Sequence, residues 1–468
     1  MQKKILLITY HFPPSPAVGG LRIFNLAKHL PGFGWDTEVL TIRPSGTKHM
    51  DHSRLNEIPD TKIHRTTCLP TLLDLYMKFK SVYFSLIEMK HITQDDLQKA
   101  YVHDNTKIRR ENFRGRFKSL LISVFFILPD RERGWILPAV LKALKLIKKN
   151  RYDFILTSCP PYSVHLIGLI LKKLTGVPWV ADFRDPWYKG SYKKLYLTTD
   201  ISKKIEEKLE SEVLLKADLI MTTTQRLCDV FSYFCIEELK QEKEKCICQT
   251  NGYDEQLMAR IQTNGKYEHF TITYTGSLYF GRTPEPIFQA VNQLIAVNAI
   301  KADEIHIKLV GHCDRIENKP IEAVIEKYGL NGIVQISNPV PYEESIKIIK
   351  RSHLALLLAP DQPLQIPAKV FDYIGAGTPI LTITQKGATY DLIQRTGIGG
   401  AFYPDDIEGL SKFIKFAFEN NEELESHFSA ELMQSFTSRS LSANVAVNLN
   451  KGLDKDKAVS ELCGLSLK

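Results

Sequence analysis

Twice along this chain, strand-length apolar runs alternate with helix-length amphipathic ones, and between the two passes the alternation halts once. This constrains the fold more than any other feature of the sequence, because strands separated by helices form a mostly parallel sheet covered by helices on its faces. In the first pass Lys4 to Thr9 reads as a strand buried on both faces, Leu21 to Leu30 as an amphipathic helix and Thr37 to Ile42 as a second strand. After an interruption, strands are predicted at Phe154 to Thr157, Pro178 to Asp182 and Ala217 to Thr223, with a helix over Tyr162 to Leu174. The turn-rich Asn251-Gly252-Tyr253-Asp254 and a polar linker close this pass.

In the second pass strands are predicted at Phe270 to Thr275, Ile305 to Val310, Ile333 to Ile336, Leu354 to Leu358 and Pro379 to Thr384. Helices are expected over Pro286 to Val297, Tyr342 to Lys350 and Ala368 to Ile374. A chain of 468 residues exceeds what one core of ordinary size accommodates. The expected organisation is therefore a domain over 1–255 with an insertion at about 65–150, a second domain over 268–430, and a helical tail over 431–468 that returns to the first. Over 65–150 no βα rhythm is read.

Three segments carry candidate chemistry. Gly19-Gly20 precedes a helix, whose N-terminal N–H groups and dipole suit a diphosphate; a tight structural turn is the alternative. Strand Phe270 to Thr275 runs into Gly276, with Arg282 six residues on, either to grip phosphate oxygens or to lie solvated on the surface. In Ile366 to Ile380, Lys369 and Asp372 share one face at a helix start, and Gly375, Gly377 and Pro379 end that helix. A carboxylate there accepts from ribose hydroxyls while the lysine sits near phosphates; the bland reading is a surface pair worth a few tenths of a kcal/mol.

In this order the segments resemble glycosyltransferase family 4 of the GT-B enzymes. The resemblance takes in Pro13-Pro14 with Gly19-Gly20-Leu21-Arg22, Thr157 to His165, Ala181 to Trp187, Asn251-Gly252, Tyr274 to Arg282, Val310-Gly311 and Pro367 to Pro379. It implies an α/β fold of two Rossmann-like domains facing across a central cleft, and a retaining, metal-independent enzyme moving a hexose from a UDP- or GDP-sugar to a lipid-linked or polysaccharide acceptor. Carried over by position, Gly19, Gly20, Gly276, Arg282, Gly311, Lys369 and Asp372 hold the donor, and Asp182, Arg184 and Asp185 line the catalytic region. Two positions depart from the family: the E-x7-E acids read Leu364 and Asp372, and Arg184 stands where a histidine is common. The alternatives are a catalytically inactive sugar-nucleotide-binding protein, or another GT-B enzyme such as a sugar-nucleotide epimerase.

The formal net charge of +8 is concentrated at residues 107–118, where Phe113 and Phe117 interleave with basic residues, next to the apolar Leu120 to Leu128. Aromatic and apolar residues (Tyr76, Met77, Phe79, Val82, Tyr83, Phe84) lie upstream. Basic residues beside apolar ones suit an anionic membrane surface; the alternatives are a core helix and a nucleic-acid patch, and no nucleic-acid fold accompanies the cluster. The longest apolar run is about half the ~20 residues a spanning helix needs. Met1 to Lys4 leads directly into a strand with no cleavage site, and eight unevenly spaced cysteines suggest reduced thiols. The expected location is the cytoplasm, peripheral on the inner face of the plasma membrane. Neither Cys246/Cys248 nor Asp454/Asp456 has the partners of a metal site, so no metal or cofactor is expected beyond the nucleotide-sugar substrate.

Overall fold

The computed structural model describes residues 3–44, 50, 52–71, 74, 128–188, 200–241, 245–279, 281–316 and 319–465, with side chains of the last helix described to 453. The basic cluster at 107–118, residues 120–127 and the aromatic stretch at 76–84 lie outside them. The chain forms two compact units: Met1–Thr222 with Cys228–Ile247 and Ala446–Lys468, and Thr223–Leu227 with Cys248–Val445.

In chain order the first unit has β1 (Lys3–Thr9), α1 (Leu21–His29), β2 (Trp35–Ile42), β3 (Lys62–Thr66), α2 (Ile136–Lys149), β4 (Phe154–Cys159), α3 (Ser163–Thr175), β5 (Trp179–Phe183), α4 (Asp200–Lys216) and β6 (Leu219–Thr222). α5 (Gln225–Tyr233) and β7 (Cys246–Cys248) follow. The sheet order is β3-β2-β1-β4-β5-β6-β7, with parallel pairing from β3 through β6. Every residue of β4 and β5 is buried, Thr157, Ser158 and Asp182 included, as in strands covered on both faces.

Two expectations change. At the described ends of 65–150 the βα rhythm is present: Lys62–Thr66 is the edge strand, and α2 buries Ala139, Val140, Ala143 and Leu146. β3 carries Lys62, His64 and Arg65 because a sheet edge tolerates charge, and this masks its strand character in the sequence. The polar linker after Asp254 is in fact a short helix, α6 (Glu255–Arg260), capped by the Asp254 carboxylate on the N–H groups of Gln256 and Leu257. Met258 and Ile261 tie it into a core cluster of the second unit with Tyr253, Phe371 and Ile374.

The second unit continues with β8 (Phe270–Thr275), α7 (Glu285–Ala296), β9 (Ile305–Val310), the short pair β10 (Arg315–Ile316) and β11 (Lys319–Pro320), and α8 (Ile321–Lys327). Next come β12 (Val334–Ser337), α9 (Tyr342–Arg351), β13 (Leu354–Ala359), α10 (Lys369–Ala376), β14 (Ile380–Thr384), α11 (Ala388–Thr396), β15 (Gly399–Phe402) and α12 (Ile407–Glu419). Two short helices, α13 (Asn421–Ser426) and α14 (Ala430–Ser435), precede the final helix α15 (Ser438–Leu465). The order β12-β9-β8-β13-β14-β15 is parallel throughout.

Helix α15 passes into the first unit at Ala446. There the Lys3 amine donates to Asn450 Oδ1 at 2.7 Å, and Gly452 lies against the Phe154 ring. Among the described residues no helix is long and apolar enough to cross a membrane.

Both sheets reverse direction of strand order once, between β1 and β4 and between β8 and β13. At such a switch point the loops leaving neighbouring strands diverge and open a crevice at the strands' carboxyl ends, where doubly wound sheets hold ligands. The candidate residues of each unit fall at these ends.

Candidate functional site

In the second unit the site begins where β8 gives out. Gly276 adopts φ +136°, and its N–H donates to the Val310 carbonyl at 2.8 Å. Gly311, at φ +132°, ends β9 against the same turn, and a Cβ there would collide with the Gly276 carbonyl oxygen. The Cys313 thiol donates to that oxygen at 3.3 Å. Only glycine permits two strand-end loops to stack so closely.

A Cβ at Gly276 would occupy the place of the Lys369 amine. This lysine opens α10; its Nζ donates to the Thr275 carbonyl and lies 4.5 Å over the Tyr274 ring. Burial, reinforced by the nearby Arg282 guanidinium, lowers its pKa to about 8. Arg282 itself stacks on Tyr279 at 4.4 Å. One turn along α10, Asp372 accepts a 2.6 Å hydrogen bond from the Tyr342 hydroxyl. Gly377, left-handed at φ +66°, ends the helix. Gly276, Arg282, Gly311, Lys369 and Asp372 thus come together at one end of one sheet, with two cations, a carboxylate and a helix N-terminus among them. Lys369 is engaged by a backbone carbonyl and an aromatic ring, so the pair with Asp372 is not a simple surface ion pair.

In the first unit a short 3-10 turn, Val18–Gly20, leads into α1. A Cβ on Gly20 would lie 3.0 Å from the His11 carbonyl oxygen, and one on Gly19 3.0 Å from Arg184 Nη2. Asp182, at the end of β5, is fully buried. It receives Arg22 Nε at 3.0 and 3.1 Å, Arg22 Nη2 at 2.9 Å and the Ser158 hydroxyl at 2.7 Å. Arg184 Nη1 donates to the same Ser158 oxygen at 3.1 Å, and Nη2 donates to the Pro160 carbonyl.

This places Asp182 beneath Arg22, where it orients a guanidinium. Burial, with Arg184 nearby, lowers the pKa of His11. The half-buried Asp185 lies on the loop after β5. That loop is pinned by Tyr162, which donates to the Pro186 carbonyl at 2.8 Å, and by Glu210, which accepts from the N–H groups of Trp187 and Tyr188 at 3.2 Å each. Gly19, Gly20, Asp182 and Arg184 are therefore neighbours at the ends of β1, β4 and β5. His165 belongs to the interior: it is fully buried, hydrogen-bonded to Thr157 at 2.8 Å, and burial lowers its pKa to about 3.

Sequence reasoning assigned no role to Arg22, Ser158, Tyr274 or Tyr342. Arg22 stood in a quoted segment, but nothing in the sequence relates position 22 to 182 or 342 to 372, since both pairings cross strands and helices distant along the chain.

Two parallel-sheet α/β units with this strand order define the GT-B fold. No protein-family model matches the chain, and no curated protein matches it in sequence. Solved structures do match over nearly the whole chain. Sucrose-phosphate synthase from Thermosynechococcus elongatus aligns with a TM-score of 0.60 at 14% identity, covering 98% of this chain and 100% of that one. Anabaena HepE in complex with UDP aligns with a TM-score of 0.60 at 14% identity, covering 96% and 100%. Staphylococcus aureus TarM, solved with UDP and α-GlcNAc-glycerol, aligns with a TM-score of 0.56 at 11% identity, covering 96% and 100%. At such identity the likeness establishes the fold; the activity has to be argued from the residues.

Proposed function

We propose that this chain is a retaining glycosyltransferase of family 4 type, transferring a hexose from a UDP- or GDP-sugar to a lipid-linked or polysaccharide acceptor in cell-envelope glycan synthesis. The observation that carries the reading is the Lys369 amine, held on the Thr275 carbonyl above the Gly276–Gly311 contact and flanked by Arg282. An exposed lysine costs little and needs no special environment. A largely buried one beside a second cation, at a helix start and over a glycine turn, is a site arranged for a multiply charged anion.

In the proposed reaction the bond between the sugar's anomeric carbon and the diphosphate oxygen breaks, and the nucleoside diphosphate leaves with the electron pair. The acceptor hydroxyl attacks from the same face, its proton passing to the departing diphosphate. Lys369 and Arg282 stabilise the charge that develops on the diphosphate, and no metal is required. Asp372 holds the ribose. Gly19 and Gly20 let a ligand approach the backbone of the first unit, whose Arg22 and Arg184 side chains are fixed through Asp182 and Ser158.

HepE has been solved with UDP and with UDP-glucose, so UDP is the nucleotide to try first. The proposed location is the cytoplasmic membrane face. Support comes from α2, whose four lysines (Lys142, Lys145, Lys148 and Lys149) have no acidic residue beside them on the helix. Leu137 and Leu141 are 56% and 52% exposed on the same helix.

Calorimetry against UDP, GDP, ADP, dTDP and CMP tests the donor site directly. One nucleotide is expected to bind, and Lys369→Ala to weaken it about tenfold or more, as loss of a charge-assisted contact predicts. Equal affinity in the variant removes Lys369 from the site. Binding with no transfer to any lipid-linked or glycan acceptor favours an inactive sugar-nucleotide-binding protein, a reading to which Leu364 lends weight because it is apolar at the first E-x7-E position.

A further inference from the structure

On one face of the second unit's sheet, groups able to carry positive charge are gathered against one another. His306 and Lys308 alternate along β9, so both point to the same side, where they are half-buried. Lys308 stands in register with Thr273 of β8 and Gln335 of β12, and His306 with Thr271. Tyr267, just ahead of β8, carries two cations on one ring. Lys308 Nζ lies 5.0 Å from its centroid, and the guanidinium of Arg351, the last residue of α9, lies 4.2 Å from it. The His269 ring meets that of His306 at 4.8 Å. Tyr267 and His269 precede β8 and Arg351 precedes β13, so the cluster lies toward the amino ends of these parallel strands. Gly276, Gly311 and Lys369 are at the opposite ends.

The acids of this region are engaged elsewhere: Glu425 pairs with Lys266 at 2.9 Å and Glu344 with Lys347 at 3.4 Å. Lys308 donates to Gln335 Oε1 at 2.8 Å. Among the described residues neither Lys308 nor Arg351 joins an ion pair, and no hydrogen bond engages the Arg351 guanidinium or the Tyr267 hydroxyl. Burial lowers the pKa of Lys308, and Arg351 lowers it further; burial lowers that of His306, and His269 and Lys308 add to the effect. Each cation thus makes its neighbour harder to charge, a cost that a bound anion reverses.

We propose that Tyr267, His306, Lys308 and Arg351 form a second anion site, remote from Lys369, that takes the dianionic phosphate of a phosphate monoester. Two negative charges match the lysine and the arginine. The guanidinium fork suits two phosphate oxygens and the ammonium a third. Tyr267 offers its hydroxyl, and an imidazole keeps an N–H donor in either protonation state. The site stands whether or not the donor reading does.

Calorimetry with inorganic phosphate and glucose 6-phosphate tests it at one ionic strength set with chloride. Lys369→Ala serves as the background, so that the proposed donor site does not contribute. Lys308→Gln and Arg351→Gln, each added to that background, are expected to weaken both ligands about tenfold at an unchanged melting temperature, as loss of a charge-assisted hydrogen bond predicts. Arg351 is exposed, so its variant decides the matter if Lys308→Gln disturbs folding. Sedimentation with phosphatidylcholine vesicles containing phosphatidic acid separates the two sources of such a phosphate. A several-fold loss in Arg351→Gln assigns a lipid headgroup; sedimentation unaffected by the variant, with glucose 6-phosphate bound, assigns a soluble metabolite. Absence of phosphate binding at millimolar concentration, or equal affinity with and without Arg351, overturns the proposal.

Discussion

Gly311 and Gly276 touch backbone to backbone: no side chain fits at position 311, because its first carbon would occupy the space of the Gly276 carbonyl oxygen. Both residues also hold φ values that other amino acids rarely adopt, +132° and +136°. The turn from β8 and the turn from β9 thereby support one another directly beneath the Lys369 amine.

Gly311→Ala is accordingly expected to be costly, by about 1–3 kcal/mol of backbone strain before any clash. In a unit of this size that corresponds to a melting-temperature fall of roughly 5 °C, together with weakened nucleotide binding. Scanning calorimetry measures the first and titration the second. An unchanged melting temperature would mean the two turns are not in contact.

The pKa of about 8 at Lys369 gives nucleotide binding a pH dependence with a defined sign. Burial, with Arg282 beside it, disfavours the ammonium in the ligand-free protein, whereas a diphosphate favours it and raises the pKa. The amine must therefore take up a proton to bind once the pH passes about 8. Affinity is expected to be flat below that value and to fall above it, approaching tenfold per pH unit. Lys369→Arg, which stays charged, should flatten the profile between pH 7 and 9.

Arg22 and Asp182 form a nearly dry ion pair, with side chains 9% and 0% exposed. Removing one partner leaves a buried charge, so Arg22→Met should destabilise by about 3–5 kcal/mol. The double variant Arg22→Met with Asp182→Leu should recover a substantial part of that loss. Denaturant unfolding of the two single variants and the double variant measures the coupling. Additive effects would show that the two side chains do not share their burial.

Glu38 anchors the edge of the first sheet through Lys4 at 2.7 Å, Tyr152 at 2.7 Å and His64 at 2.8 Å. Burial alone would raise its pKa, but these hydrogen bonds outweigh it and lower the pKa to about 2. A carboxyl depressed on folding stabilises the protein above its ordinary titration range and loses that contribution as the pH falls from about 4.5 toward 2. Glu38→Gln should therefore flatten the stability profile across that acid window, as read by urea unfolding at stepped pH.

Helix α2 tests the proposed membrane contact without reference to catalysis. Leu137→Glu with Leu141→Glu is expected to reduce sedimentation with phosphatidylserine vesicles several-fold at an unchanged melting temperature, since each leucine offers about 1.5–3 kcal/mol when buried. Vesicle binding that survives the change places any contact elsewhere. A lowered melting temperature would show the two leucines packed within the protein.

The central strands of both sheets were legible because a strand covered on both faces is largely apolar, as Ile5 to Ile8 and Leu354 to Leu358 are, whereas the edge strands Cys246–Cys248 and Gly399–Phe402 were not read. The glycines and the Lys369–Asp372 spacing were legible because φ values and helix periodicity are local properties, written in residues next to one another. The edge strand Lys62–Thr66 hid its nature behind charged residues, and helix Ile136–Lys149, although it leads directly into β4, stood too far along the chain from that preceding strand to be recognised as the crossover between them. The sequence alone therefore determined two parallel α/β layers and the kinds of group at their strand ends. Only the tertiary structure decided that Asp182 lies buried under Arg22, that Lys369 rests on the Thr275 carbonyl and that Tyr342 binds Asp372. Each of these contacts joins residues 30 to 160 positions apart, and its energy depends on distance and burial, which no local pattern encodes.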